Sequence, residues 1–323
     1  MKKVFLAPGL AAVALTIGGC ASTSATPDTP AEADAVTVTN CDRDVSVPGT
    51  PERILSLYPS MTELLIELGA ADAVVGQSNT NLSAPSPELA DEFAAIPVLS
   101  TGVPAKEAVV SARPDLIVSD GEYWFDGERM QTMDELAELG IPIFVNSGYC
   151  HQEVTEGRID DVFSDLDSLG RLLGKPDRAA ELADEAQTTL DAVSDRISGQ
   201  SPTRTVMVQV AEGQSYALAR GLYSSVLGAA GGQNLFEDEL PAGKYFGQVS
   251  TESIIEKRPD VIVVVHGADA DPAAAEEDAR TLFAGTPAAA QNRIHAVPEA
   301  VFAGELRSVD GAAELSELLH PRG

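Results

Sequence analysis

One segment of this chain occurs twice, and the repeat constrains the fold more than any other feature. Residues 107–118 match residues 252–263 at a constant offset of 145, with Arg113-Pro114-Asp115 in the first copy and Arg258-Pro259-Asp260 in the second. Two copies are too few for a stacked solenoid, so two lobes built on one plan are expected. In each copy a glutamate, Glu107 or Glu252, opens a short helix. The Arg-Pro-Asp triplet ends it, because proline disfavours helical geometry in the residue before it. A wholly apolar run follows, at 116–118 and at 261–265. Such runs suit strands buried on both faces of a parallel sheet.

The same alternation surrounds both copies. Residues 54–57 read as a strand, and Ser60 as the N-cap of a helix over 61–68, with Glu63 completing a capping box and Gly69 ending it. Further strands are expected at 74–76, 141–145, 205–210 and 294–297. Helices at 133–139 and 223–230 are closed by Gly140 and by Gly231-Gly232. The fold class is therefore α/β: two lobes, each with a mainly parallel central sheet and flanking helices. Between them, residues 158–198 are rich in Ala, Leu, Asp and Glu and hold no strand-type run. Lys175-Pro176 divides this stretch, and Pro176 or Asp177 starts a helix reaching Ile197, about 30 Å long. A helix of that length joining two lobes acts as a strut.

The ends of the chain carry different information. Met1-Lys2-Lys3, an apolar stretch over 4–17 and Gly18-Gly19-Cys20 make a secretory signal, too short for a membrane span of roughly 20 apolar residues. The small pair before Cys20 resembles the bacterial lipobox. That resemblance implies acylation at Cys20, palmitate included, and anchorage on the extracytoplasmic face of the cell membrane. Residues 21–36 hold no aromatic side chain and are expected to be disordered. The net charge of −29 argues against nucleic acid or an anionic membrane surface as partner, leaving the lipid as the only membrane contact. Cys41 and Cys150 are an even pair in an exported chain: a disulfide, or two buried thiols. The expected layout is a signal peptide at 1–19, a tether at 20–40, an N-terminal lobe at 41–157, linking helices at 158–199 and a C-terminal lobe at 200–323.

The run 51–64, which includes Arg53 and Tyr58-Pro59-Ser60, is followed in order by Leu68-Gly69, Val75-Gly76, Arg113-Pro114-Asp115, residues 228–235 and Arg258-Pro259-Asp260. This ordered set resembles the iron-siderophore and cobalamin substrate-binding proteins of ABC transporters, and it covers the chain from Cys41 to the C-terminus. The paired cysteines and residues 303–310 look closest to an actinobacterial branch, some of whose members are associated with a deazaflavin-cofactor precursor. The resemblance implies two lobes joined by one long helix, limited hinge motion and a ligand cleft between the lobes. It implies a monomer serving an ABC permease dimer with its ATPase subunits. Family members dock on permease arginines through one surface glutamate per lobe, and Glu107 and Glu252 lie at those positions. The implied cargo is a metal chelate, ferric siderophore first and cobalamin or haem next, or else another cofactor-like solute such as a deazaflavin precursor. No cofactor of the protein's own is implied; iron or cobalt would arrive with the cargo.

Ligands of open α/β sheets sit beyond the carboxyl ends of strands. That rule brings Tyr58, Tyr123, Trp124, Tyr149 and His151 to one wall of the cleft, and Tyr216, Arg220, Tyr223, Tyr245, Phe246, His266, Glu305 and Arg307 to the other. The aromatics suit a large, flat, partly polar ligand. Arg220, Lys244 and Arg307 are candidates to meet an anionic group, and Tyr216 or His266 to contact haem iron. A bare metal ion would need His151, His266 and Glu305 to converge, and this chain has only four histidines. An exported enzyme and a lipid-anchored scaffold are the rival classes. No nucleophile elbow, metalloprotease helix motif or phosphate-binding loop supports the first.

Overall fold

The computed structural model describes residues 35–151 and 154–322. The signal, Cys20 and the tether as far as residue 34 lie outside the described residues. Strands β1 (Val36–Asn40) and β2 (Arg43–Val47) form an antiparallel hairpin, so the tether expected to reach residue 40 gives way to regular structure at Val36. Val38, Val45 and Val47 alternate with exposed residues and pin the hairpin to the core.

The first lobe has four parallel strands in the order β4-β3-β5-β6: β3 (Ile54–Ser56), β4 (Val74–Gln77), β5 (Leu116–Ser119) and β6 (Ile143–Val145). The second lobe holds β7 (Thr203–Ala211), β8 (Gln214–Leu218), β9 (Gly232–Asn234), β10 (Phe246–Val249), β11 (Val261–His266) and β12 (Ile294–Pro298). Their order is β10-β8-β7-β11-β12, with β9 also beside β7. β7, β9, β11 and β12 are parallel, whereas β8 pairs antiparallel with both β7 and β10. Gly213 at φ 74 and Glu212 at φ 51 make the tight β7–β8 hairpin that brings in this antiparallel edge.

The repeat is structural. Helices Lys106–Ala112 and Thr251–Lys257 each bury one apolar residue at the same position, Val109 and Ile254. Each ends on an arginine in the left-handed region, Arg113 at φ 48 and Arg258 at φ 50. Each has its last carbonyl held by an arginine entering the lobe's first sheet strand. Arg53 donates to Ala112 O at 2.6 Å and Arg204 to Lys257 O at 2.6 Å. β5 and the first five residues of β11 are buried throughout.

Two helices link the lobes, Asp161–Leu172 and Pro176–Ile197, divided at Lys175 as the proline requires. The second has 22 residues, about 33 Å, and buries only Ala179, Leu182, Ala186 and Val193. The final helix, Glu305–Leu319, does not stay within the C-terminal lobe. It packs on the linking helix and on helix Pro59–Glu67 of the first lobe. One apolar cluster runs from Ile54 and Phe144 through Leu166 and Leu182 to Val263 and Leu315, so the lobes share a core along this seam.

The capping box expected at Ser60 is not formed. Helix Pro59–Glu67 starts two residues earlier, with Tyr58 at the N-cap and Pro59 in the first turn. Glu63 is consequently free to turn inward, where it accepts from the Ser86 amide and pairs with Arg307 at 3.3 Å.

Candidate functional site

Strand ends from both lobes meet in a small chamber of about 140 Å³. Tyr58 follows β3, Asp120 and Tyr123 follow β5, and Tyr149 follows β6. Glu299 and Ala303 follow β12, Tyr223 comes from helix Gly221–Ala229 and Tyr245 precedes β10. Five of the chain's six tyrosines thus line one cavity. Val154 completes the lining.

Local chemistry positions each group. Ser119 and Gly121 turn the chain sharply after β5, with the Ser119 hydroxyl donating to Gly121 O at 2.9 Å. A Cβ on Gly121 would meet the Tyr123 ring at 2.1 Å, so only glycine lets that ring fold back over the turn. The Tyr123 hydroxyl then donates to the Asp120 carboxylate, which also accepts from Trp124 Nε1 at 2.7 Å. Across the cleft the Tyr223 hydroxyl donates to Glu299 at 3.1 Å. Tyr223 stacks between Tyr245, 5.8 Å between ring centroids, and Phe302, at 5.0 Å. The lobes are latched beneath the chamber: Tyr149 donates to Phe302 O at 2.6 Å, and Asn146 to Ala303 O at 2.8 Å.

The chamber is electrostatically one-sided. Its described lining holds two carboxylates and no lysine or arginine. Burial raises the Asp120 carboxyl to about 6, against the pull of its hydrogen bonds from Tyr123 and Trp124. Burial likewise holds the hydroxyls of Tyr58, Tyr123, Tyr149, Tyr223 and Tyr245 above the ordinary phenol range, with Asp120 or Glu299 adding to each shift. These hydroxyls stay protonated and act as hydrogen-bond donors.

Of the residues expected to line the cleft, the structure brings together Tyr58, Tyr123, Tyr149, Tyr223 and Tyr245. Trp124 lies behind the wall, in the first lobe's core beside Phe125, with Arg129 over its ring at 5.6 Å. Tyr216 and Phe246 stack on each other, 5.0 Å apart, on the antiparallel edge outside the chamber lining. Arg220 is occupied with the carbonyls of Leu240, Pro241 and Lys244 at 2.6–2.8 Å. Arg307 is turned to Glu63, Ser83 and Ala84. Neither arginine therefore faces the chamber as the cation expected for an anionic group. His266 lines a neighbouring groove of about 490 Å³ that shares Glu299 with the chamber. His151 instead sits 3.5 Å from Asp42, and Glu305 is buried against Asn146, so these two do not converge with His266. Among the described residues no three metal-ligating side chains form a group.

Sequence reasoning missed Asp120 and Glu299. The signal was present: Asp120 directly follows β5, and Glu299 directly follows β12. Acidic residues are so abundant here, 50 in all, that position alone did not single them out.

Glu107 and Glu252 are both exposed, each in the first turn of its repeat helix. Cys41 and Cys150 are bonded, with their Cα atoms 5.2 Å apart.

Residues 16–301 match the model of the family described as periplasmic binding protein. The vitamin B12-binding protein of Yersinia pestis (strain Pestoides F) is 30% identical over 213 residues, 66% of this chain and 69% of that protein. A periplasmic binding protein from Veillonella parvula shares the fold at a TM-score of 0.79 and 20% identity, over 89% of this chain and 98% of that one. A structure titled as an ABC-type Fe3+-hydroxamate transport system from Saccharomonospora viridis aligns at a TM-score of 0.72 and 25% identity, over 88% and 99%. Two lobes, a linking helix, a cleft at the strand ends and these likenesses agree: the chain belongs to the periplasmic binding protein family, an extracytoplasmic family of solute-binding transport proteins and not of enzymes.

Proposed function

We propose that this protein is the solute-capturing component of an ABC importer, held at the outer face of the membrane through acylated Cys20. Its cargo is a metal chelate, a ferric siderophore or cobalamin ahead of haem, taken between the lobes. The observation that carries the reading is the convergence of five tyrosines and two carboxylates from both lobes on one chamber. The names of the relatives, vitamin B12-binding protein and Fe3+-hydroxamate transport system, support the chelate class. A chamber of about 140 Å³ is smaller than the roughly 300–1,000 Å³ of ordinary ligand sites, so a chelate enters by parting the lobes and keeps part of its bulk in the adjoining groove. Delivery follows when Glu107 and Glu252, one per lobe, meet a two-fold symmetric permease.

The chain has one tryptophan, Trp124, bonded to Asp120 behind the chamber wall. Titration of a panel of ferric siderophores, cobalamin and haem is expected to quench Trp124 fluorescence and raise the thermal midpoint for at least one chelate. Absence of any shift across the panel would sink the reading.

A further inference from the structure

We infer that the cleft selects its cargo by charge, taking a cationic or neutral, acceptor-rich chelate and rejecting an anionic one. This rests on the solute-binding reading above and deepens it. Chamber and groove adjoin at Glu299, which lines both. Asp120 belongs to the chamber, and Asp271 and Asp278 to the groove. Across both linings there are four carboxylates, one histidine and, among the described residues, no lysine or arginine. The two arginines expected to meet an anionic group are already committed, Arg220 to three backbone carbonyls and Arg307 to Glu63. Asp120 is held by hydrogen bonds from Tyr123 and Trp124 rather than by a counter-ion.

An anionic chelate would bring its charge out of water beside carboxylates with nothing to neutralise either side, which is costly. The net charge of −29 adds a long-range field of the same sign, slowing the approach of anions and speeding that of cations. A cation on the cargo would supply the missing partner to Glu299. The hydroxyls of Tyr58 and Tyr245 have no hydrogen-bond partner among the described residues, although both line the chamber. They are placed to donate to cargo acceptors such as hydroxamate or amide oxygens.

The test uses two matched series in which the metal centre is constant and only charge varies. One is a linear ferric trihydroxamate with a free terminal ammonium, its acetylated neutral form and its succinylated anionic form. The other is cobalamin and its monocarboxylate. Dissociation constants are measured by Trp124 quenching for the wild type, Glu299→Gln and the double variant Asp120→Asn with Glu299→Gln. The expected order within a series is cation tightest and anion weakest, with at least about a tenfold spread. Glu299→Gln narrows that spread, and the double variant narrows it further. Raising the salt concentration narrows it in the wild type, which keeps the inference testable if a variant fails to fold. An anionic member that binds as tightly as its cationic or neutral counterpart overturns the charge selection while leaving the solute-binding reading intact. No binding of any member in either series overturns the charge selection, and if the rest of the chelate panel also fails to bind, the solute-binding reading falls with it.

Discussion

Asn146 shows how much one side chain decides here. It follows β6, is buried, donates to Ala303 O at 2.8 Å and to the Glu305 carboxyl, and accepts from Gly148 N at 2.8 Å. A Cβ on Gly304 would come within 2.2 Å of the Asn146 amide, and Gly304 has φ 85, so glycine is needed to bring the second lobe this close. Burial raises the Glu305 carboxyl well above its usual range, which favours its neutral form within this network. Asn146→Ala strands three buried polar groups at about 1–3 kcal/mol each, before relaxation. The expected loss of stability is at least about 2 kcal/mol, measured by urea unfolding, with the lobe interface weakened first. Tyr149→Phe, which removes only the bond to Phe302 O, should cost about 1 kcal/mol. If Asn146→Ala proves as mild as Tyr149→Phe, Asn146 is not the latch.

At the scale of elements, the β1–β2 hairpin is joined to β6 in two ways. The Asn40 side chain pairs with Val145 like an added strand, donating to its carbonyl at 2.7 Å and accepting from its amide at 2.8 Å. The Cys41–Cys150 bond closes a loop with a sequence separation of 109. Replacing both cysteines by serine should cost about 4 kcal/mol in the chain-entropy picture, read as a fall in the unfolding free energy obtained from a urea titration. A loss below about 1 kcal/mol would mean that the Asn40 pairing alone holds the hairpin. The repeat helices Lys106–Ala112 and Thr251–Lys257 carry the other element-scale prediction. Each presents its glutamate in the first turn, where a negative charge also suits the helix dipole. Glu107→Lys with Glu252→Lys should abolish uptake in cells while leaving chelate affinity within about twofold, since charges at a docking rim set orientation and on-rate. Unchanged uptake would reassign both residues to helix stabilisation.

For the whole molecule, burial raises several carboxyls toward neutrality, among them Asp120 to about 6, and Glu67 and Asp165 to about 7. Unfolded, each titrates near 4. Between about pH 4 and 7 the folded chain therefore binds protons that the unfolded chain has released, so stability falls as pH rises through that window. The thermal midpoint should be higher by several degrees at about pH 5 than at about pH 8, and Glu67→Gln should flatten the profile. A midpoint that rises with pH would contradict these shifts. Much of this architecture was legible beforehand. The repeat, the proline stops and the apolar runs determine the elements, because helix, strand and turn preferences act over a few neighbouring residues and the period of burial is written in side-chain order. Family-type motifs extended that to two lobes and a strut. The cleft was legible only in part. Five of the expected tyrosines meet there, yet Tyr216 and Phe246 lie on the outer edge because β8 pairs antiparallel with both β7 and β10, a pairing made across the sheet. Arg220 and Arg307 leave the cleft because carbonyls and a carboxylate elsewhere satisfy them better than an open cavity does. Ser60 lost its expected cap because Pro59 started the helix, and Glu63 was thereby released to pair with Arg307. By itself, then, the sequence determined the elements, their alternation and the two-lobe plan. Tertiary structure alone decided which strand ends face each other, and so made the chamber acidic, with no lysine or arginine among its described lining. Charges find partners through space, over distances that sequence spacing does not encode.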